Sequence, residues 1–173
     1  MFQSPPVPEP AIKTLPPVIS VLIGGLIGIA GSYTAFRYQR RSEGKSITAA
    51  FAAEISAILE IAKKRNCVDV LKRDIENIRS GSRMGSSFPV TQTYFNVYFK
   101  NIDKIGLLKA PISSKIVEFY ITALAILEDF KTLEDTNIPW ESDEQYIGFL
   151  EGLINMIEHV QNLGSDILKQ INK

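Results

Sequence analysis

The run from Leu15 to Phe36 constrains this chain most: twenty-two residues without a charge, followed at once by Arg37, Arg40 and Arg41. A helix that rises ~1.5 Å per residue needs ~20 apolar residues to cross a ~30 Å hydrocarbon core. The run therefore predicts a single-pass transmembrane helix, with residues 15–38 as the anchor. Pro16 and Pro17 stand at its start, where proline is tolerated because the first helical N–H groups have no intrahelical partner. A cleaved secretory signal would need a positive leading region, a short apolar core and a small-residue cleavage site. Here Lys13 is offset by Glu9, the apolar run is longer, and the positive charge follows it. An uncleaved anchor is the expectation.

The arginines orient it. Lys and Arg concentrate on the cytoplasmic side of membrane helices. Arg37, Arg40 and Arg41 thus predict an N-terminus outside the inner membrane and a cytoplasmic C-terminal part. Residues 1–14, with the segment SPPVPEP, predict a disordered Pro-rich arm. Within the anchor, Gly24, Gly28 and Ser32 recur every four residues on one helix face. Small residues let helix backbones approach closely in lipid, which makes this face a candidate homodimer seam.

Residues 39–173 suffice for one helical domain. Ile47, Phe51, Ile55, Ile58 and Ala62 form a stripe in steps of three and four, the signature of an amphipathic helix. Val68, Leu71, Ile75 and Ile78 resume it, so Glu43 to Arg79 reads as one long helix bent near Asn66. A Gly/Ser loop follows, from Ser80 to Phe88. A second helix is expected from near Thr91 to Gly106, carrying Tyr94, Phe95, Tyr98, Phe99, Ile102 and Ile105. Their i, i+4 spacing predicts core positions, while two adjacent pairs cover more arc than one neighbour can bury and leave room for one exposed tyrosine edge. Pro111 opens a third helix with Ile116, Phe119, Tyr120, Ala123, Leu124 and Leu127 on its apolar face. Ser142 and Gln145 make a capping box for a fourth, whose stripe is Ile147, Leu150, Ile154, Ile157, Gln161, Gly164 and Ile167/Leu168. Four helices with short connections predict an all-α, antiparallel four-helix bundle.

Charge divides along the chain. Arg37 to Arg83 holds eleven basic and six acidic residues, whereas Glu118 to Glu158 holds ten acidic residues and only Lys131 as a base. Such halves suit facing surfaces of a bundle, and the basic half also suits anionic lipid. Net charge is zero, which gives no global attraction to nucleic acid.

The stretch FPVTQTYFNVYFKNIDKIGLL, followed by IVEFY at Ile116–Tyr120, is similar to a loose group of short bacterial proteins. These have an N-terminal membrane helix, a basic juncture and an amphipathic helix with an AEI triplet, here Ala53-Glu54-Ile55. The resemblance runs from Leu15 to Leu133 and departs at Thr91, where tyrosine is usual. It implies the anchor-plus-helices architecture and assigns no catalytic residue.

The inventory for chemistry is thin. Cys67 and His159 are the single cysteine and histidine, so neither a disulfide nor a Cys/His zinc site can form within the chain. His159 has Met156, not glutamate, three residues before it, so the Glu-x-x-His motif of di-iron bundles is missing. The glycines at Gly81 and Gly85 follow a helix rather than a strand, unlike a phosphate-binding loop. No cofactor or metal is expected. The sequence predicts a non-enzymatic, membrane-anchored interaction or sensing module whose partners are the bilayer, another protein and a second copy of itself. Asp143 and Glu144, in the acidic half, are the candidate partner surface. A holin- or toxin-like membrane-active protein is the alternative, and an enzyme with an unrecognised site the third reading.

Overall fold

The computed structural model describes residues 17–82, 92–134, 140 and 142–172, with 17–20, 23, 92 and 134 described in backbone only. The Pro-rich arm at 1–14, most of the Gly/Ser loop with Phe88, the expected start at Thr91 and residues 135–139 between the third and fourth expected helices lie outside the described residues. Every regular element among those described is helical. The chain divides into two compact units, residues 1–40 and 41–173.

In the first unit, helix α1 (Pro17–Arg65) begins. Its side chains Val21, Leu22, Leu26, Ile27, Ile29, Tyr33 and Phe36 are between 56% and 74% exposed. Two hydroxyls of this stretch turn inward to backbone: Ser32 donates to the Gly28 carbonyl at 2.9 Å and Thr34 to that of Gly31 at 2.9 Å. Arg37 lies over the Tyr33 ring at 5.7 Å and Arg40 over Phe36 at 5.6 Å, so each guanidinium covers an aromatic face one turn before it.

The second unit carries the core. Ile47, Phe51 and Ile55 of α1 are buried, and Ile58 and Ala62 half-buried, as the stripe predicts. The expected bend is a full break. Asn66 adopts φ 51°, in the left-handed region that asparagine tolerates better than most residues, and α2 (Cys67–Arg79) starts beyond it. Gly81, with φ 88°, closes α2. The Ser82 amide reaches the Asn77 carbonyl and the Gly81 amide that of Ile78, each at 2.9 Å, which satisfies the last free carbonyls.

The expected second helix is not continuous. Gln92–Phe95 is a 3-10 turn, α3 is only Asn96–Asn101, and a second 3-10 turn spans Ile102–Leu107. Two contacts impose the breaks. Glu54 of α1 accepts the Val97 and Tyr98 amides, which fixes a helix start at Asn96. The Asn101 side chain donates to the Val97 carbonyl at 2.9 Å, and its backbone leaves helical geometry at φ −130°. Gly106 is not a left-handed stop either, since the turn runs on to Leu107. Phe95 and Tyr98 lie in the core as their spacing predicts, Tyr94 is half-buried, and Phe99 is the largely exposed aromatic.

Helix α4 (Ala110–Glu134) and helix α5 (Asp143–Ile171) follow the sequence closely. The Ser142 hydroxyl accepts the Gln145 amide at 3.1 Å, the expected cap. Lys115 pairs with Asp166, and Glu118 with His159 further back along α5, so α4 and α5 run antiparallel. Lys72 meets Glu158 at 3.3 Å and Arg79 meets Glu151 at 3.2 Å, so α2 is antiparallel to α5 as well. The basic half thus faces the acidic half across α2 and α5. These pairs are exposed and contribute ~0.2–1 kcal/mol each; they set register more than stability.

Length and hydropathy do not single out the N-terminal span. Among the described residues they select α4, from Ala110 to Leu133, with mean hydropathy 1.4 and a third of its window buried. The leading run lies partly outside the fully described residues. In α4 the apolar side chains have a different destination: Ile116, Phe119, Tyr120, Ala123, Ile126, Leu127 and Phe130 are all in the core.

Asp129 shows what partial burial does on α4. Desolvation raises its carboxyl above the ordinary 3.8. The folded state therefore holds that proton more tightly than the unfolded chain, and its contribution to stability is lost as pH rises through the folded value. Asp129→Asn should melt higher than the parent at pH 7, and the difference should vanish as pH falls below 4. Paired melts at the two pH values measure it; a variant no more stable at pH 7 would contradict the burial argument.

Candidate functional site

Among the described residues of the second unit two acidic side chains are buried, Asp74 and Glu54; of these, Glu54 takes its partners from other elements of the fold. It sits three residues after Phe51 and one before Ile55, so α1 carries it on the buried arc. Its Oε1 accepts the Val97 amide at 2.6 Å; its Oε2 accepts the Tyr98 amide at 3.0 Å and the Tyr120 hydroxyl at 2.7 Å. Three donors from two other elements converge on one carboxylate, a group that only accepts when ionised. Two of them are amides in the first turn of α3, so Glu54 acts as a distant N-cap where Phe95, at the cap position, offers no side-chain bond.

Aromatic rings wall this carboxylate. Tyr120 stacks on Tyr98 with centroids 4.1 Å apart and planes 15° off parallel, and meets Phe95 and Phe119 edge-on at 6.0 and 5.3 Å. Burial, followed by the bond to Glu54, pushes the Tyr120 hydroxyl far above its ordinary value. It stays a neutral donor across the accessible pH range. Among the described residues no buried side-chain nitrogen or oxygen lacks a hydrogen-bond partner. With each of its oxygens engaged by donors from α3 and α4, Glu54 positions the start of α3.

The remaining reactive groups are dispersed. Cys67 is buried, and desolvation pushes its thiol up, which keeps it from the thiolate a nucleophile needs. His159 lies on the exposed side of α5 with Glu118 at 3.0 Å. Lys115, then Gln170, hydrogen-bond to Asp166 and hold its carboxyl below the usual range. No group of three or more His, Cys, Asp or Glu side chains converges among the described residues.

The residues singled out in the sequence fall in both units. Gly24, Gly28 and Ser32 are exposed on α1, and a Cβ placed on either glycine would meet nothing within 4 Å. Arg37 and Arg40 end the first unit and Arg41 opens the second. Asp143 and Glu144 form the first turn of α5, where acidic side chains complement the positive end of the helix dipole. Asp143 is half-buried and engaged in interactions of its own, so Glu144 is the more accessible of the two. Sequence reasoning passed over Glu54. The available signal was an acid at a stripe position, Phe51–Glu54–Ile55–Ile58, where a solvated residue has no place.

Compared with protein families, with curated proteins and with solved structures, the chain matches none.

Proposed function

We propose that the chain is a single-pass, membrane-anchored interaction or sensing module: residues 15–38 span the inner membrane and 39–173 present a helical domain to the cytoplasm. One observation carries the reading. The start of α1 exposes an almost unbroken apolar surface and then ends in Arg37, Arg40 and Arg41. In water that surface has no evident cover, whereas a bilayer removes it from water at ~25 cal/mol per Å². Folding Ser32 and Thr34 onto backbone carbonyls suits the same environment, where unsatisfied hydroxyls are costly. The competing stretch on α4 supplies the core, and Tyr120 in it donates to a buried carboxylate.

Orientation is the direct test. In a Gram-negative host, a reporter active only in the periplasm, fused after Lys173, should be silent, while a cytoplasmic reporter at the same place should be active. Strong periplasmic activity would reverse the topology, and recovery of the chain in the soluble fraction would remove the anchor.

A further inference from the structure

The segment from α3 through the second 3-10 turn lies along α1 and runs back toward the start of the second unit. Val97 and Tyr98 meet Glu54, and farther on Lys104 pairs with Glu43 at 3.4 Å. The Leu107 carbonyl lies 3.1 Å from where a Cβ on Gly44 would stand, an approach that a side chain there would crowd. Gly44 comes only eight residues after Phe36, the last residue of the apolar run. Chain connectivity therefore keeps this end of the unit close to whatever holds that run. Two large apolar side chains stay exposed on the segment, Phe99 at 50% and Ile102 at 52%. On the same segment and at the adjoining start of the unit, Arg41, Lys45, Lys100 and Lys109 are exposed. None of the four takes part in an ion pair among the described residues. Against them stand Asp103 and Glu43, and Glu43 is already matched by Lys104. Lys115, near the start of α4, pairs with Asp166, late in α5. The acidic first turn of α5, with Asp143 and Glu144, is thus at the far end of that helix.

We propose that this face rests on the anionic phospholipid headgroups of the leaflet below it, with Phe99 and Ile102 entering the acyl boundary. The proposal builds on the membrane-anchor reading. Charge names the lipid: each Lys or Arg beside an anionic leaflet favours the docked state about fivefold. Phe and Ile among lysines suit that layer. The apolar groups reach below the headgroups while the lysine stems keep their ammonium groups among the phosphates. A second copy is the poorer fit, because a two-fold contact centred on Phe99 would bring the lysines of both copies together. The acidic start of α5 acts in the same sense. An anionic surface draws in the basic end of the unit and repels the acidic one, which orients it.

Trp140 is the single tryptophan, so the full chain with Trp140→Phe and Phe99→Trp carries one fluorophore, at the face itself. Ile102→Trp in the same background is the second reporter, and circular dichroism melts check that each variant folds. The chain is reconstituted into vesicles of dibromophosphatidylcholine, alone or mixed equally with dibromophosphatidylglycerol. Flotation reports insertion separately from docking. The chain should float with both vesicles, while bromine should quench the reporter at least twofold more in the anionic ones. In about 1 M salt, where the Debye length falls to ~3 Å, that difference should fall away. Lys100→Gln with Lys109→Gln should lower the docked-to-undocked ratio about 25-fold, two cations at about fivefold each. Lys131→Gln, an exposed cation on the far half of α4, should change nothing. A chain that floats with both vesicles but is quenched equally in them, or in neither, overturns the docking face and leaves the anchor standing. Failure to float with either removes the anchor, and the proposal with it. An equal loss in Lys131→Gln would replace this face by net charge. A blue shift that grows with protein concentration, whatever the headgroup, would give the face to a second copy and overturn the lipid assignment.

Discussion

Glu54→Ala should lower the melting temperature of the second unit by about 15 °C. The substitution strips the acceptor from the Val97 amide, the Tyr98 amide and the Tyr120 hydroxyl at once. A buried donor left without a partner costs ~1–3 kcal/mol. Partial entry of water offsets some of this, which leaves about 4 kcal/mol, at roughly 4 °C per kcal/mol for a domain of this size. Glu54→Gln keeps the volume but turns an N–H₂ toward donors, so its loss should be smaller, about 2–3 kcal/mol. Tyr120→Phe removes one hydroxyl and should cost about 1–2 kcal/mol. Because the two residues share a bond, Glu54→Gln with Tyr120→Phe should lose less than the sum. Circular dichroism melts of the full chain give the order Ala, Gln, Phe. A Glu54→Ala melt within 3 °C of the parent would mean that the carboxylate does not hold α3 in place.

That network marks where the fold could and could not be read from the sequence. The elements determined by local chemistry were legible. Ser142 and Gln145 cap α5 as their spacing dictates, and the stripes of α1, α2, α4 and α5 identify their buried faces. Asn66 breaks the long helix where the basic run interrupts its stripe. The segment from Gln92 to Leu107 was not, and the reason is physical. Its aromatic residues at i and i+4 favour one continuous helix when read locally. The carboxylate that cuts the helix comes from 43 residues earlier in the chain. A charge-assisted bond to two free amides outweighs the small gain from continuing a short helix through Phe95. Tertiary contact decides such a segment, and periodicity does not report it.

Gly164 offers the opposite case, a residue whose place on the stripe was visible but whose constraint was not. It lies on α5 where that helix passes both α1 and α4, and a Cβ there would stand 2.8 Å from Phe119 Cε2 and 3.1 Å from Leu59 Cδ1. The Leu59 methyls can rotate aside. Phe119 is fully buried and held edge-on to Tyr120 at 5.3 Å, so it has little room to move. In an exposed helix position, Gly→Ala gains up to ~1 kcal/mol in propensity. Against that stands overpacking, at ~1–3 kcal/mol. Gly164→Ala should therefore destabilise by about 1 kcal/mol, and Gly164→Val, with two more carbons and a β-branch, by about 3 kcal/mol or more. The same helix contains its own control. Gly152 is exposed and a Cβ there meets nothing within 4 Å, so Gly152→Ala should stabilise by roughly 0.5–1 kcal/mol. Denaturant melts of the three variants compare opposite signs within one element, with propensity held constant between the two alanine substitutions. If Gly164→Ala stabilised as much as Gly152→Ala, Phe119 would have to yield freely, and the close approach of α5 to α4 would not depend on the missing side chain.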